Sequence, residues 1–166
     1  MKTKIFFVCA LTIFFVSKTY AASPVSTGKN KNWESFTFST DKGKVCFAQS
    51  VPIKRSPSSF KRNESRIFVT FRPKENIKDE ISITSGHEYK SSSVTARSGK
   101  NNFSFFSQKN FAWLLDEREE QKLIKVMKRA TDLMVKADSK KGTQSTDHYS
   151  MMGFTKAYNT AKKNCN

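Results

Sequence analysis

Residues 33–50 read WESFTFSTDKGKVCFAQS, and this stretch has the pattern of two β-strands joined by a short turn. Its two ends are rich in the aromatic and β-branched residues that strands favour, and its middle holds the turn residues Asp41, Lys42 and Gly43. Successive side chains of a strand point to opposite faces. The first strand therefore has two predicted faces, one with Trp33, Ser35 and Thr37 and the other with Glu34, Phe36 and Phe38.

The same alternation of short apolar runs and turn residues continues to residue 115. The connections are too short to hold crossover helices, so we expect antiparallel pairing. This pattern predicts a mainly β chain, an antiparallel sandwich or barrel, with ordered structure from Trp33 and a flexible lead-in over residues 22–32. The fifteen Phe residues indicate a substantial core, and we expect the strand aromatics to lie in it. The predicted strands are residues 33–39, 45–50, 67–72, 80–85, 94–97, 103–107 and 111–115.

The hydrophobic period changes after residue 115 from that of strands to that of helices. Asp116 followed by Glu119 resembles a capping box, and Leu123 and Met127 share one helical face. We therefore predict one amphipathic helix at about residues 117–130, packed on the sheet. A membrane-active or partner-binding helix is the alternative, which the narrow apolar stripe disfavours.

The last part of the chain carries two further strand-like runs and a second helix. Residues 133–136 and 148–152 read as strands, and the polar residues 138–146 between them read as a loop. After Gly153, apolar residues recur at helical spacing, which predicts a short C-terminal helix. We predict a single domain over residues 33–166.

The first 21 residues have the three parts of a cleaved secretory signal peptide. Lys2 and Lys4 form the basic start, residues 5–16 form the apolar stretch, and cleavage after Ala21 follows small residues. The apolar stretch is shorter than the roughly 20 residues that span a bilayer, so an uncleaved anchor is disfavoured. We therefore expect export to the periplasm, the cell surface or the medium, with no transmembrane segment in the mature chain.

Export makes the cysteines informative, because only Cys46 and Cys165 remain once the predicted signal with Cys9 is removed. Two cysteines in an exported protein most often form one disulfide. Two unpaired buried thiols, or a thiol bonded to another protein, are the alternatives. The spacing of Cys and His residues matches no metal site, so we predict neither a metal nor another cofactor.

The chain is strongly basic, with a formal net charge of +16 that falls to +13 when the three lysines of the signal leave. Such a field favours polyanions, among them anionic lipids and anionic glycans. The densest cationic stretch lies in a Pro- and Ser-rich segment that reads as an exposed loop. A basic surface that is merely solvated is the alternative. The candidate polyanion contacts are Lys54, Arg55, Lys61, Arg62 and Arg66.

The sequence offers little catalytic chemistry. Its two histidines are His87 and His148, and the second lies beside Asp147 and Ser150. Residues so close in a strand or turn cannot converge by themselves as nucleophile, base and orienting acid. Phosphate-binding Gly-rich loops and the nucleophile-elbow motif are missing as well. We therefore predict that the protein is not an enzyme, and an enzyme that uses His148 and Asp147 is the least favoured hypothesis.

A set of motifs in a fixed order runs through the predicted mature chain. The set is Trp33, Val45-Cys46-Phe47-Ala48-Gln49-Ser50, Pro52, Ala112-Trp113, the helix with residues 123–128, Lys141-Gly142-Thr143, Asp147-His148-Tyr149-Ser150, Gly153-Phe154 and Cys165. Combined with a signal peptide and two cysteines, this order resembles the invasion-associated locus B family of alphaproteobacteria. Two positions depart from the family pattern, since the family usually has Thr at His148 and Leu at Met151.

The resemblance implies an immunoglobulin-like β-sandwich, export to the periplasm or cell surface, and pairing of Cys46 with Cys165. It also implies an association with invasion of host cells, originally red blood cells, and it brings no catalytic residues. We therefore expect a non-enzymatic protein that binds a host-cell surface, an envelope component, or an anionic glycan or lipid through its basic surface. A periplasmic envelope-maintenance protein without host contact is the alternative. Nucleic acid is not an expected partner.

Overall fold

The computed structural model of this protein describes residues 23–166, and within them the chain is mainly β, as predicted. The predicted signal peptide, residues 1–21, lies outside the described residues. The strands are β1 (Val25–Asn30), β2 (Trp33–Thr40), β3 (Gly43–Ser50), β4 (Lys54–Ser56), β5 (Arg66–Arg72), β6 (Ile77–Thr84), β7 (Val94–Ser98), β8 (Asn101–Gln108), β9 (Phe111–Trp113), β10 (Asp132–Asp138) and β11 (Gln144–Ser150). The helices are α1 (Glu117–Met127) and α2 (Phe154–Asn164), with one 3-10 turn at Pro73–Glu75.

The strands of residues 23–166 form one antiparallel sheet in the order β1-β2-β3-β5-β6-β9-β8-β7-β10-β11-β4. Strand β8 joins the two halves of this sheet, because it pairs with β9 on one side and with β7 on the other. Within the described part of the chain, β1 pairs only with β2 and β4 only with β11, so the sheet has two edges and is not closed.

Both halves of the sheet contribute to a single hydrophobic core. Val69 and Ile81 come from one half and Val94 and Leu133 from the other, and all four are fully buried in the same cluster. Trp33 lies in this core, where its indole Nε1 donates a hydrogen bond to Ser150 O at 2.9 Å. Its ring meets the Phe154 ring edge-on, with the centroids 4.7 Å apart, so the first predicted strand and the C-terminal helix pack directly on each other.

Helix α1 begins as the sequence predicts. The Asp116 side chain accepts a hydrogen bond from Glu119 N at 2.9 Å, which satisfies one of the free backbone donors of the first turn. The helix buries Leu123, Ile124 and Met127 and packs on β6. It ends at Met127, three residues before the predicted boundary.

A disulfide joins Cys46 on β3 to Cys165 at the end of α2. Their Cα atoms are 5.8 Å apart, within the usual range for a disulfide. This bond confirms the predicted pairing and ties α2 to the sheet against which it packs.

Three sequence predictions need correction. Residues 25–30 are not a flexible lead-in but strand β1, which pairs with β2 at the sheet edge and has no buried residue. Residues 54–56 in the predicted basic loop form the short edge strand β4. The predicted loop at residues 138–146 is shorter, because β10 and β11 pair as far as Asp138 and Gln144. Edge strands and hairpin ends lack the apolar alternation by which strands are recognised.

Neither helix of the described chain meets the length and hydropathy that a membrane span requires. Each has 11 residues and is therefore about 16 Å long, against a hydrocarbon core of about 30 Å.

Candidate binding surfaces

The basic segment that the sequence indicates is held together by a buried ion pair. The Arg62 side chain is 2% exposed, and its two Nη atoms lie 2.9 and 2.5 Å from the Oδ atoms of Asp147, whose side chain is 1% exposed. Arg62 Nη1 also donates to Ser65 Oγ and to Ser85 O, each at 2.6 Å. This ion pair attaches the segment that precedes β5 to β11. It also gives each of the two buried charges a partner of opposite sign. Arg62 is therefore an internal structural residue and is not available to a polyanion.

The other four candidate contacts do not form one exposed cationic surface. Arg55 donates to Asn63 O, and its Nε lies 3.9 Å from Asp147 Oδ1, so it belongs partly to the same ion-pair cluster. Arg66 is paired with Glu64. Lys54 and Lys61 are exposed, with no ion-pair partner among residues 23–166. A polyanion would meet these two lysines and the half-exposed Arg55.

The residues around His148 do not converge on one site. His148 and Asp147 are neighbours on β11 and therefore point to opposite faces, and the Asp147 carboxylate is occupied by Arg62. Ser150 accepts a hydrogen bond from Met152 N at 3.2 Å. The arrangement of nucleophile, base and acid that an enzyme of this kind needs is therefore not formed by these three residues.

The other histidine, His87, packs between two aromatic rings. Its Nε2 lies 2.8 Å from Ser145 Oγ, and its ring centroid is 5.3 Å from that of Phe60 and 5.1 Å from that of Tyr89. Burial lowers the pKa of His87 below its ordinary value. Ser145 is fully buried, so a substrate in solution cannot reach its hydroxyl. Over residues 23–166, no group of three His, Cys, Asp or Glu side chains is placed to hold a metal ion.

The most distinctive surface of the described chain is an array of seven aromatic side chains, which we call the aromatic face. It covers the side of the sheet that points away from the core, because its members alternate along their strands with core residues such as Val69 and Ala112. Six of the seven are half-buried, and Phe106 is 43% exposed. Its members are Phe36, Phe38, Phe47, Phe68, Phe106, Phe111 and Trp113.

The aromatic face has two groups of touching rings. Phe47 is the centre of the first, with ring centroids 5.2 Å from Phe36, 6.2 Å from Phe38 and 5.9 Å from Phe68. Trp113 is the centre of the second group. It lies 5.7 Å from Phe106 and 5.9 Å from Phe111, and both rings are within 28° of parallel to the indole.

Strand register joins the two groups into one surface. Phe68 on β5 lies opposite Ser82 on β6, Ser82 lies opposite Trp113 on β9, and Trp113 lies opposite Phe106 on β8. The small Ser82 side chain leaves a depression between the large rings on either side. A groove of about 510 Å³ runs here, from Phe38 on β2 to Trp113 on β9.

The charges along this groove nearly cancel. Arg72 donates to both carboxylate oxygens of Glu80 at 3.0 Å and lies 3.4 Å from Glu75, and the hydrogen bond with Glu80 raises the pKa of Arg72. Asp41 and Lys42 complete the charged lining. Two cationic and three anionic side chains give a formal charge of −1, in a chain whose residues 22–166 carry +13. The groove is therefore not the part of the surface that attracts polyanions.

The expectation that strand aromatics form the core is wrong for this face. Of the eleven Phe residues described, only Phe71, Phe103, Phe105 and Phe154 are buried. The sequence indicated that the aromatic residues lie on two sides of the sheet, since alternation placed Phe36 and Phe38 on one face of the strand and Trp33 on the other. It did not indicate which of the two faces would be covered.

Comparison with known protein families, with characterised proteins and with solved structures finds no match for this chain.

Proposed function

We propose that this is an exported, non-enzymatic binding protein that holds a component of the bacterial envelope or of a host-cell surface on its aromatic face. The observation that carries the proposal is the continuous array of seven partly exposed aromatic side chains around a groove. Contiguous exposed apolar surface on a folded domain is a feature of interaction sites, and these neighbouring aromatic side chains form such a surface. Aromatic side chains, Phe and Trp among them, are also enriched at protein interfaces.

Export is supported by two independent features. The disulfide between Cys46 and Cys165 suits an oxidising compartment, and residues 1–21 have the pattern of a secretory signal. The motif order also resembles the invasion-associated locus B family. The finer fold that goes with it, an immunoglobulin-like sandwich, is part of this proposal, and a single core shared by both halves of the sheet supports it.

The leading version of the proposal is association with host-cell invasion or adhesion. In this version the net charge of +13 draws the protein toward anionic cell surfaces over distance, and the aromatic face makes the close contact. The alternative version is a periplasmic protein that maintains the envelope without touching a host. Fractionation of cells that produce a tagged protein separates the two, because strict retention in the periplasm excludes direct contact with a host cell.

The binding role is tested with purified mature protein on host cells and on isolated envelope fractions. We expect saturable binding to one of them, reduced at least tenfold, about 1.4 kcal/mol, by the double variant Phe68→Ser/Trp113→Ser. Ile53→Ser, which removes an exposed apolar side chain outside the aromatic face, is the matched control and should bind as the wild type does. Circular dichroism melting checks that both variants fold. Equal binding by wild type and double variant would refute a role for the aromatic face.

A further inference from the structure

We propose that the groove of the aromatic face binds an extended, uncharged oligosaccharide built from hexoses with equatorial substituents. The inference deepens the proposed binding function and rests on it, because it names the chemical class of the ligand for the same face. The ligand would lie across the strands, over β2, β3, β5, β6 and β9, which are consecutive neighbours in the sheet. Four strand spacings of about 4.8 Å make this path about 19 Å long, enough for several hexose units.

The floor of the groove has the chemistry that such sugars need. A pyranose ring with equatorial hydroxyls presents only C–H groups on its two faces, and these slightly positive hydrogens pack on the negative faces of aromatic rings. Five rings of the aromatic face line the groove: Phe38, Phe47, Phe68, Phe111 and Trp113. These rings lie on β2, β3, β5 and β9, so successive sugar units of a ligand that crosses the strands meet successive rings.

The groove also contains hydrogen-bonding side chains that suit sugar hydroxyls. The hydroxyls of Thr40, Thr70 and Ser82 line it, together with the Arg72 and Glu80 side chains. The paired hydrogen bonds between Arg72 and Glu80 hold both planar groups in place before any ligand arrives. A site fixed in advance loses less conformational entropy on binding, which favours a ligand that is itself semi-rigid.

The charges of the groove select against other partners. Sulfated glycans and lipid phosphates would meet Asp41, Glu75 and Glu80, and these three carboxylates outnumber the two cationic side chains of the groove. A second copy of this chain is disfavoured because two mature chains of +13 repel each other. An uncharged, amphipathic ligand suits both the apolar floor of the groove and the nearly cancelling charges that line it.

Tryptophan fluorescence offers a direct measurement. The chain has two tryptophans, and Trp33 is buried in the core while Trp113 lies in the groove, so a ligand in the groove changes the emission of Trp113 alone. We expect chitohexaose or cellohexaose, titrated into the mature protein, to change the emission with a Kd below about 1 mM. Calorimetry should give the same Kd, and heparin should leave the emission unchanged.

Two variants locate the site. Trp113→Phe should abolish the emission change and weaken calorimetric binding severalfold. Thr70→Lys places a long side chain on the groove floor without removing any packing, and it should weaken binding at least tenfold while the melting temperature stays close to that of the wild type. Ile53→Ser should bind normally.

Several results would overturn the inference. These are no binding of either oligosaccharide by calorimetry, equal binding by wild type and Thr70→Lys, tighter binding of heparin than of the uncharged sugars, or a dimer that Phe68→Ser dissociates. The proposed function has a separate readout in the envelope and cell binding described above. If that binding depends on the aromatic face but is not competed by excess chitohexaose or cellohexaose, the partner is not such a glycan, so the inference fails and the proposed function stands.

Discussion

Arg62 and Asp147 are the two residues whose roles differ most from what their sequence neighbourhoods indicate. Arg62 lies in the most basic stretch of the chain and Asp147 beside a histidine, yet they form a buried ion pair across 85 positions. No local pattern links residues that far apart, so the pair could not be predicted from the sequence. At the scale of single residues, charge density in the sequence is a poor guide to charge on the surface.

The ion pair gives a prediction at this scale. Arg62→Ala leaves the Asp147 carboxylate buried without its partner, so we expect the free energy of unfolding to fall by about 3 to 5 kcal/mol. Arg66→Ala, which removes an arginine from a half-exposed pair with Glu64, is the control and should cost less than about 1 kcal/mol. Urea unfolding of both variants measures the difference. Similar losses for the two would show that Arg62 contributes no more than a surface charge.

Elements with a clear period were predictable, and those at edges were not. Strands β2, β3 and β5 are runs rich in aromatic and β-branched residues and were found within two residues of their bounds. Strand β1 reads VSTGKN and was missed, because an edge strand with exposed side chains needs only backbone pairing with β2. The aromatic face was half predictable. Alternation separated Phe36 from Trp33, but only the position of α2 decides that the Trp33 side is covered.

Helix α1 contains a titratable group that couples its packing to pH. Glu120 accepts a hydrogen bond from Ile81 N at 3.1 Å, where α1 packs on β6. Burial raises the pKa of Glu120 to about 7, the hydrogen bond from Ile81 opposes this shift, and the nearby carboxylates of Glu80, Asp79 and Glu117 add to it. The folded state therefore keeps a proton that the unfolded state has already lost above its ordinary pKa of 4.5.

It follows that the contribution of Glu120 to stability falls as the pH rises from about 4.5 through about 7. Glu120→Gln keeps an oxygen for Ile81 N without the charge. We expect it to equal the wild type in stability at pH 4 and to exceed it by on the order of 1 kcal/mol at pH 8, after allowance for solvent screening. Glu119→Gln, which removes a neighbouring carboxylate that contacts Lys122, is the matched control. Urea unfolding at pH 4, 6 and 8 measures both, and a difference between Glu120→Gln and wild type that does not vary with pH would contradict the argument.

At the scale of the whole molecule, the disulfide is the contact of largest sequence separation that we predicted from the sequence. It was predictable because the expected signal peptide takes Cys9 away and leaves one intramolecular pair. The arrangement of the eleven strands was not predictable in the same way. The insertion of β10 and β11 between β7 and β4 depends on tertiary contacts such as the one from Arg62 to Asp147.

The disulfide gives a prediction at the scale of the whole chain. It closes a loop of 119 positions, so the double variant Cys46→Ala/Cys165→Ala should lose about 3 to 5 kcal/mol of unfolding free energy, chiefly because its unfolded chain is less restricted. Reductant should lower the melting temperature of the wild type and leave that of the double variant unchanged. Equal melting temperatures for oxidised wild type and double variant would show that the bond adds no stability.

The same bond also governs how two copies of the chain can combine. Helix α2 packs on β2 and β3 as a separate terminal element, which is the kind of segment that neighbouring molecules exchange when they swap domains. With Cys165 bonded to Cys46 of its own chain, α2 cannot leave its own sheet to occupy that of another molecule. Oxidation thus blocks intertwined dimers through α2, and reduction opens that route.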